Sequence, residues 1–339
     1  IGNAAASGYD TETNNLAIGH VALGGSVAGG EYNVAIGNYS LDALTSGDDN
    51  VAIGYNAGTA ISSGYNNTLI GKNAGQAITT GARNTFVGYQ AGDGFDGETH
   101  NVGVGENALG GPIAGGEYNV AVGSNTLDAL TSGDNNTAVG YQAGTAVTTG
   151  GYNTFLGWEA GKTYTGTGDV NTAIGASALQ AMTTGTQNTA LGGNAGYSLT
   201  SAGDCVLIGH NAGDAITIGS QNIAVGQNAL GAAVVERRNV AIGNNALAAH
   251  RTTASTVNDT GNTSVGFYAG AQITTGGGNT AIGQNALATR LTTGSNNVGV
   301  GTGVNMNNSG NSNGIVIGHN IEGNENRVVF GKASNVIEN

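Results

Sequence analysis

Apolar positions along this chain follow neither the 3.6-residue period of an amphipathic helix nor a long two-residue alternation. They come in short bursts of the form Asn-x-small-aliphatic-Gly, each followed by about a dozen small and polar residues. Asn67-Thr-Leu-Ile-Gly71 returns as Asn84-Thr-Phe-Val-Gly88. The glycine closing each burst recurs from Gly19 to Gly331 at spacings of 17 or 18 residues, except for 23 between Gly243 and Gly266 and 13 before Gly331. A fixed period near 20 without helical patterning is the signature of a solenoid. The expected architecture is therefore all-β: a parallel β-solenoid, or β-roll, of about 17 residues per coil. Residues 1–339 read as a single repeat array, with an insertion loop at 250–259 and irregular terminal coils over 301–339. At ~4.8 Å per coil, such an array would be a rod about 90 Å long.

Within each unit the residue before the closing glycine is aliphatic, as in Ile53, Ile70, Val87 and Val104. Seven residues after the glycine comes a second apolar anchor, as in Leu44, Ile61, Ile78 and Val147. Two short strands per coil are expected, the first placing its pre-glycine aliphatics in the core. Glycine is expected at the corners, where positive φ is needed. The alternate row, with Ala52, Leu69, Phe86, Ala121 and Phe155, would then face the other way, and it is apolar too. A strand that is apolar on both faces is covered on both. That pattern predicts association of parallel copies through the Leu69–Phe86–Phe155 row. The residue opening the burst is Asn in 16 of the 19 units, and stacked asparagines are expected to bond into a ladder. A longer repeat lies on top, residues 29–54 recurring at 115–140.

Composition narrows the function classes. Gly supplies 63 of 339 residues, while charged residues are only 9%. Such a glycine-rich tandem repeat fills a long thin core rather than one round one. The net charge of −13 speaks against nucleic acid binding, which needs clustered Lys and Arg. No apolar run approaches the ~20 residues of a membrane-spanning helix, so no membrane insertion is expected. The single cysteine, Cys205, excludes a disulfide framework within the chain.

Candidate chemistry is sparse. The five histidines form neither a His-x-His nor a His-Glu-x-x-His pair, and no Gly-x-Ser-x-Gly elbow occurs. The acids Asp42, Asp128 and Asp214 sit singly at turns, so no carboxylate pair marks a glycan-cleaving centre. The turn Asp93–Glu98 carries three acids but lacks the spacing of a calcium loop. No enzyme, cofactor or metal site is expected. Two features could serve binding. Tyr55, Tyr89, Tyr141 and Trp158 share the position after the closing glycine, where exposed rings can stack on sugars. The insertion carries His250, Arg251, Thr252 and Thr253, with positive charge on an otherwise acidic chain, and extra residues in a solenoid loop outward. The paired threonines Thr79-Thr80, Thr148-Thr149 and Thr183-Thr184 raise an ice-binding solenoid as an alternative, although adjacent residues point oppositely.

The bursts "NVAIG", "NTAVG" and "NTAIG" resemble the head repeats of trimeric autotransporter adhesins, which are parallel β-rolls packed as trimers. The fuller wording "NTLIGKNAGQAITTGARN" resembles repeats of bacteriophage tail fibres more closely. The ending "NRVVFGKASNVIEN" is similar to the stretch that precedes an intramolecular chaperone domain in such fibres. This resemblance implies a homotrimeric fibre segment on a virion, outside the cell, that mediates attachment to a glycan or protein receptor on the host. A cell-surface adhesin head is the alternative setting.

Overall fold

The asparagine that opens each burst sets the geometry of the coil. In a computed structural model the residues described are 1–7, 14–26, 28–112, 115–168, 170–252 and 258–338. Contacts within the chain define two compact units, Ile1–Val170 and Asn171–Asn339. Each unit is a parallel β-solenoid with about 17 residues per coil, and among the described residues there is no helix.

In the first unit every burst forms one three-residue strand: β1 (Leu16–Ile18), β2 (Val34–Ile36), β3 (Val51–Ile53), β4 (Thr68–Ile70), β5 (Thr85–Val87), β6 (Val102–Val104), β7 (Val120–Val122), β8 (Thr137–Val139) and β9 (Thr154–Leu156). Successive strands pair in parallel with equivalent residues opposed, as in Ala52↔Leu69 and Ile53↔Ile70. The second unit continues in the same way through β10 (Thr172–Ile174), β11 (Thr189–Leu191), β12 (Val206–Ile208) and β13 (Ile223–Val225). A two-residue strand β14 (Glu236–Arg237) precedes β15 (Val240–Ile242), and β16 (Asn258–Asp259) precedes β17 (Thr263–Val265). Then come β18 (Thr280–Ile282), β19 (Val298–Val300), β20 (Asn305–Met306), β21 (Ile315–His319), β22 (Glu322–Gly323), β23 (Val328–Lys332) and β24 (Asn335–Glu338), the last pairing antiparallel with β23.

Two expectations are corrected. The second anchor does not generally build a second strand. Its backbone bends after two or three residues, and successive amides share one carbonyl of the next coil, as when Thr45 and Ser46 both donate to Ser62. Among the described residues, the only strand pairs outside the main sheet are β14 with β16 and β20 with β22.

The two strand faces are also the reverse of the sequence reading. The Leu69–Phe86–Phe155 row is fully buried inside the coils, whereas Ile70 and Leu156 are 37% and 43% exposed. Parity explains this. The Asn67 amide points into the coil, donating to Asn50 Oδ1 at 3.0 Å and to Gly81 O at 2.8 Å. Strand side chains alternate, so Leu69 shares the inward face with Asn67, and Thr68 and Ile70 face out.

The closing glycine is dictated by close approach. At Gly54, φ is +140°, and a Cβ there would lie 2.4 Å from Gly71 O of the next coil. Other corners are left-handed without glycine, including Asn73, Gln90 and even Leu41 and Leu127. A leucine at positive φ costs ~1–2 kcal/mol, which full burial of its side chain offsets with ~1.5–3 kcal/mol.

These leucines reveal how the core is filled. From the coil of Gly19 to that of Gly283, four residues after the closing glycine stands either Leu or Gly. Leu41 is flanked by Ala35 and Ala52, and Leu127 by Ala121 and Ala138. Gly58, Gly75 and Gly92 lie against Leu69 or Phe86, whose side-chain atoms a Cβ would meet at 2.3–2.7 Å. One large side chain is thus supplied either by the strand or by the corner. Gly270 departs from the rule, with the Ser264 hydroxyl beside it. Leu69→Ala alone is expected to cost ~2–5 kcal/mol, and Gly58→Leu alone to clash. Together they recreate the Leu41 arrangement. Chemical denaturation should show the double variant more stable than either single one; additive losses would contradict the packing rule.

Candidate functional site

The insertion was expected to carry its side chains outward, but its first residues are drawn into the coil. His250 lies seven residues after Gly243, the position of Leu44, Ile61 and Ile273 in other coils, and like them it is fully buried. Its Nε2 is 3.0 Å from Thr260 Oγ1 and 3.3 Å from Asn262 Nδ2. Its Nδ1 is buried without a hydrogen-bond partner. Thr252 is also buried; its amide and its hydroxyl both donate to Glu236 Oε1, the hydroxyl at 2.8 Å. Val234 and Val235 donate their amides to Glu236 Oε2 at 2.5 and 2.9 Å. Of the four insertion residues proposed for receptor contact, Arg251 is the exposed one. Thr253 lies outside the described residues. Beyond them the chain resumes in β16, whose Asn258 and Asp259 pair with Glu236 and Arg237, and Arg238 forms an ion pair with Asp259.

This buried cluster joins the asparagine ladder. Asn239 Oδ1 accepts from the Asn262 amide at 3.0 Å and from Thr260 Oγ1 at 2.9 Å. The sequence reading missed Glu236, although a signal was available. Glu98 stands at the same place, ten residues after its closing glycine, and likewise accepts backbone amides, from Asp96 and Gly115 at 2.8 and 2.9 Å.

Burial raises the pKa of the Glu236 carboxyl, but the bonds donated by Thr252 and Val234 outweigh it, and the group lies below its ordinary range. Burial holds His250 below its ordinary value, against the pull of the Glu236 carboxylate. The neutral ring therefore stabilises the fold fully above pH ~6.5, and that contribution falls as acid protonates the unfolded chain first. Glu236 adds a further loss at lower pH, as its carboxylate is protonated in the folded state. His250→Leu, the residue type of neighbouring coils, is expected to raise stability by about 1–2 kcal/mol at neutral pH by removing the unpaired ring nitrogen. It should also flatten the melting temperature between pH 5 and 6.5. A variant with unchanged pH dependence would contradict this assignment.

The aromatic candidates are placed as expected at an exposed corner of the first unit. Tyr55, Tyr89, Tyr141 and Trp158 are 44–51% exposed. They occupy one register position, Tyr55 and Tyr89 separated by the Lys72 coil and Tyr141 and Trp158 on successive coils. Two of these rings pack on neighbouring side chains. Tyr39 meets Tyr55 edge-on at 6.0 Å, and Lys72 Nζ lies 5.7 Å from the Tyr89 ring centre. Tyr141 and Trp158 stand exposed on neighbouring coils.

The isolated acids have structural partners. Asp42 and Asp128 accept hydroxyl bonds from Thr59 and Thr145 at 2.5 and 2.7 Å. Burial raises the pKa of Asp93, Asp128 and Asp214. In the Asp93–Glu98 turn, Asp93 accepts from Gln90 and Asp96 from Thr79, so the three acids turn to separate partners. Among the described residues no three His, Cys, Asp or Glu side chains are grouped to hold a metal ion, and no helix is long and apolar enough to cross a membrane. No family model, curated protein or solved structure matches this chain.

Proposed function

We propose that this chain is a non-enzymatic, extracellular segment of a phage tail fibre, serving host attachment as a parallel homotrimer. The observation that carries the reading is the outward strand face. In each unit, positions such as Val51, Thr68, Thr85 and Val102 form one row, and Ile53, Ile70, Val87 and Val104 form a second, in unbroken register. These side chains are half-buried or exposed throughout. At roughly 100 Å² per coil, the nine coils of the first unit present on the order of 900 Å² of Val, Ile, Leu and Thr side chains, more than the largest apolar patch of a typical monomer. A partner that matches rows repeating every ~4.8 Å must itself repeat at that spacing, and a second copy in parallel register does. The resemblance of the bursts to tail-fibre repeats supplies the biological setting, and the exposed Tyr141 and Trp158 offer a contact surface for a host glycan or protein.

Native mass measurement tests the assembly. Three copies are expected for the unaltered chain, and a folded monomer for Ile70→Asp combined with Leu156→Asp. A stable, soluble monomer of the unaltered chain would overturn the reading.

One observation favours a second function. The outward rows pair Thr with an aliphatic residue on a regular sheet, as in Thr137-x-Val139 beside Thr154-x-Leu156, a surface suited to ice. Two of the paired threonines that first raised this idea are occupied elsewhere, Thr183 donating its hydroxyl to the Thr200 carbonyl of the following coil and Thr79 to the Asp96 carboxylate. Thermal hysteresis of a monomeric chain would select the ice-binding reading.

A further inference from the structure

The repeat is broken in a coordinated way at one place in the second unit. Five residues after the closing glycine about half of the coils carry a longer polar side chain, such as Asp42, Thr59, Gln76, Asp128 or Gln180, and Gly24, Gly110 and Gly231 stand there in three others. Three consecutive coils instead carry Ala248, Ala271 and Ala288. Two residues after the glycine, where Asn or Gln is usual, the middle coil of the three has Tyr268. Six residues after it, where Ala is usual, stand Gln272 and Thr289. These departures converge on a single open cavity of about 340 Å³, within the range of small-ligand sites. The alanines form its floor, with Ala271 and Ala288 nearly buried. Tyr268 forms a wall, and Gln272, Asn285 and Thr289 form the rim. Phe267 packs edge-on against Tyr268 with ring centres 4.5 Å apart, bracing that wall. The Thr289 amide donates to Asn305 Oδ1 at 3.1 Å, fixing the rim backbone. In the coils after Gly192 and Gly209 the corresponding groove holds a cavity of similar size, about 360 Å³, but Asn194, Tyr197, Asn211 and Asp214 line it, so a carboxylate and polar groups stand where the alanines give an apolar floor.

We propose that this cavity binds the ring of a neutral saccharide. A sugar presents an apolar C–H face and a girdle of hydroxyls. The alanine floor and the Tyr268 ring match the first, and the two amides and one hydroxyl of the rim match the second. No charged side chain lines the cavity, which disfavours phosphate, sulfate and acidic sugars. The inference deepens the attachment reading by naming a ligand class and rests on that reading for its setting.

Saturation-transfer NMR and calorimetry on the intact chain test it, with glucose, galactose, mannose, N-acetylglucosamine and their disaccharides as probes, and glucuronic and sialic acids as charged controls. At least one neutral sugar is expected to bind with Kd on the order of 1 mM. Ala271→Gln with Ala288→Gln introduces the side chain carried by other coils at this position and should weaken that binding at least tenfold, with melting temperature and assembled mass unchanged. Tyr268→Asn should do the same. Binding of none of these neutral sugars, equal binding by the filled variant, preference for the acidic sugars, or uptake only of an apolar probe such as indole would overturn the proposal. Failure here with an intact trimer counts against the saccharide site alone, whereas sugar binding by a monomer counts against the fibre reading alone.

Discussion

Phe86→Asp is expected to abolish folding of the first unit rather than to separate assembled copies. Phe86 is fully buried and its ring packs 4.8 Å from that of Phe95. Truncating such a ring costs ~3–5 kcal/mol, and an unpaired carboxylate left in the core adds several more. The sum consumes most of the 5–15 kcal/mol that typically holds a domain together. Circular dichroism and thermal melting should show no cooperative transition. Ile70→Asp, one strand earlier and on the outward face, should melt nearly as the unaltered chain does. A folded Phe86→Asp protein that has merely lost its assembly would restore the face assignment expected from the sequence.

Asn136→Ala is expected to be the most damaging polar change. The Asn136 amide donates to Asn119 Oδ1 at 3.1 Å and to Gly150 O at 2.9 Å. Its Oδ1 accepts from the backbone and side-chain amides of Asn153 at 3.0 and 3.1 Å. All of these groups are buried, so truncation leaves the Asn153 amide and the Gly150 carbonyl without those partners, at ~1–3 kcal/mol for each buried group left unsatisfied. A loss of about 3 kcal/mol or more in denaturant unfolding is therefore expected. The opposite change is available at Cys205, which stands in an asparagine position with its Sγ 3.5 Å from Gly219 O. Cys205→Asn should extend the ladder and raise stability. A neutral Asn136→Ala would mean that the ladder is incidental to the coil.

The period was legible because each coil must close on its neighbour with the same number of residues. The ladder was legible because asparagine recurs at one register position. The direction of the strand faces was not read correctly, although the parity was in hand. If the asparagines bond to each other inside the coil, Leu69 and Phe86 must follow them inward, and Ile70 and Val87 must face out. His250 was misplaced for a related reason. The 23-residue spacing drew attention to the insertion as a whole, whereas counting seven residues from Gly243 places His250 at a core anchor. The left-handed leucines were beyond sequence reasoning, since propensity disfavours them and only the empty space beside Ala35, Ala52 or Ala121 explains them. The cavity of the second unit emerges from the sequence only once the positions five residues after each glycine are known to share a groove.

The claim that the outward rows meet their own counterparts in a second copy is tested most directly by Ile70→Cys under mild oxidation. The native Cys205 is buried, and burial raises the pKa of its thiol, so the introduced thiol is the reactive one. In a parallel, in-register assembly the Ile70 positions of different copies face one another across the interface. Rapid formation of a disulfide-linked pair of chains is the result expected. A thiol at position 70 that stays unlinked and is alkylated as freely as a surface cysteine would contradict it.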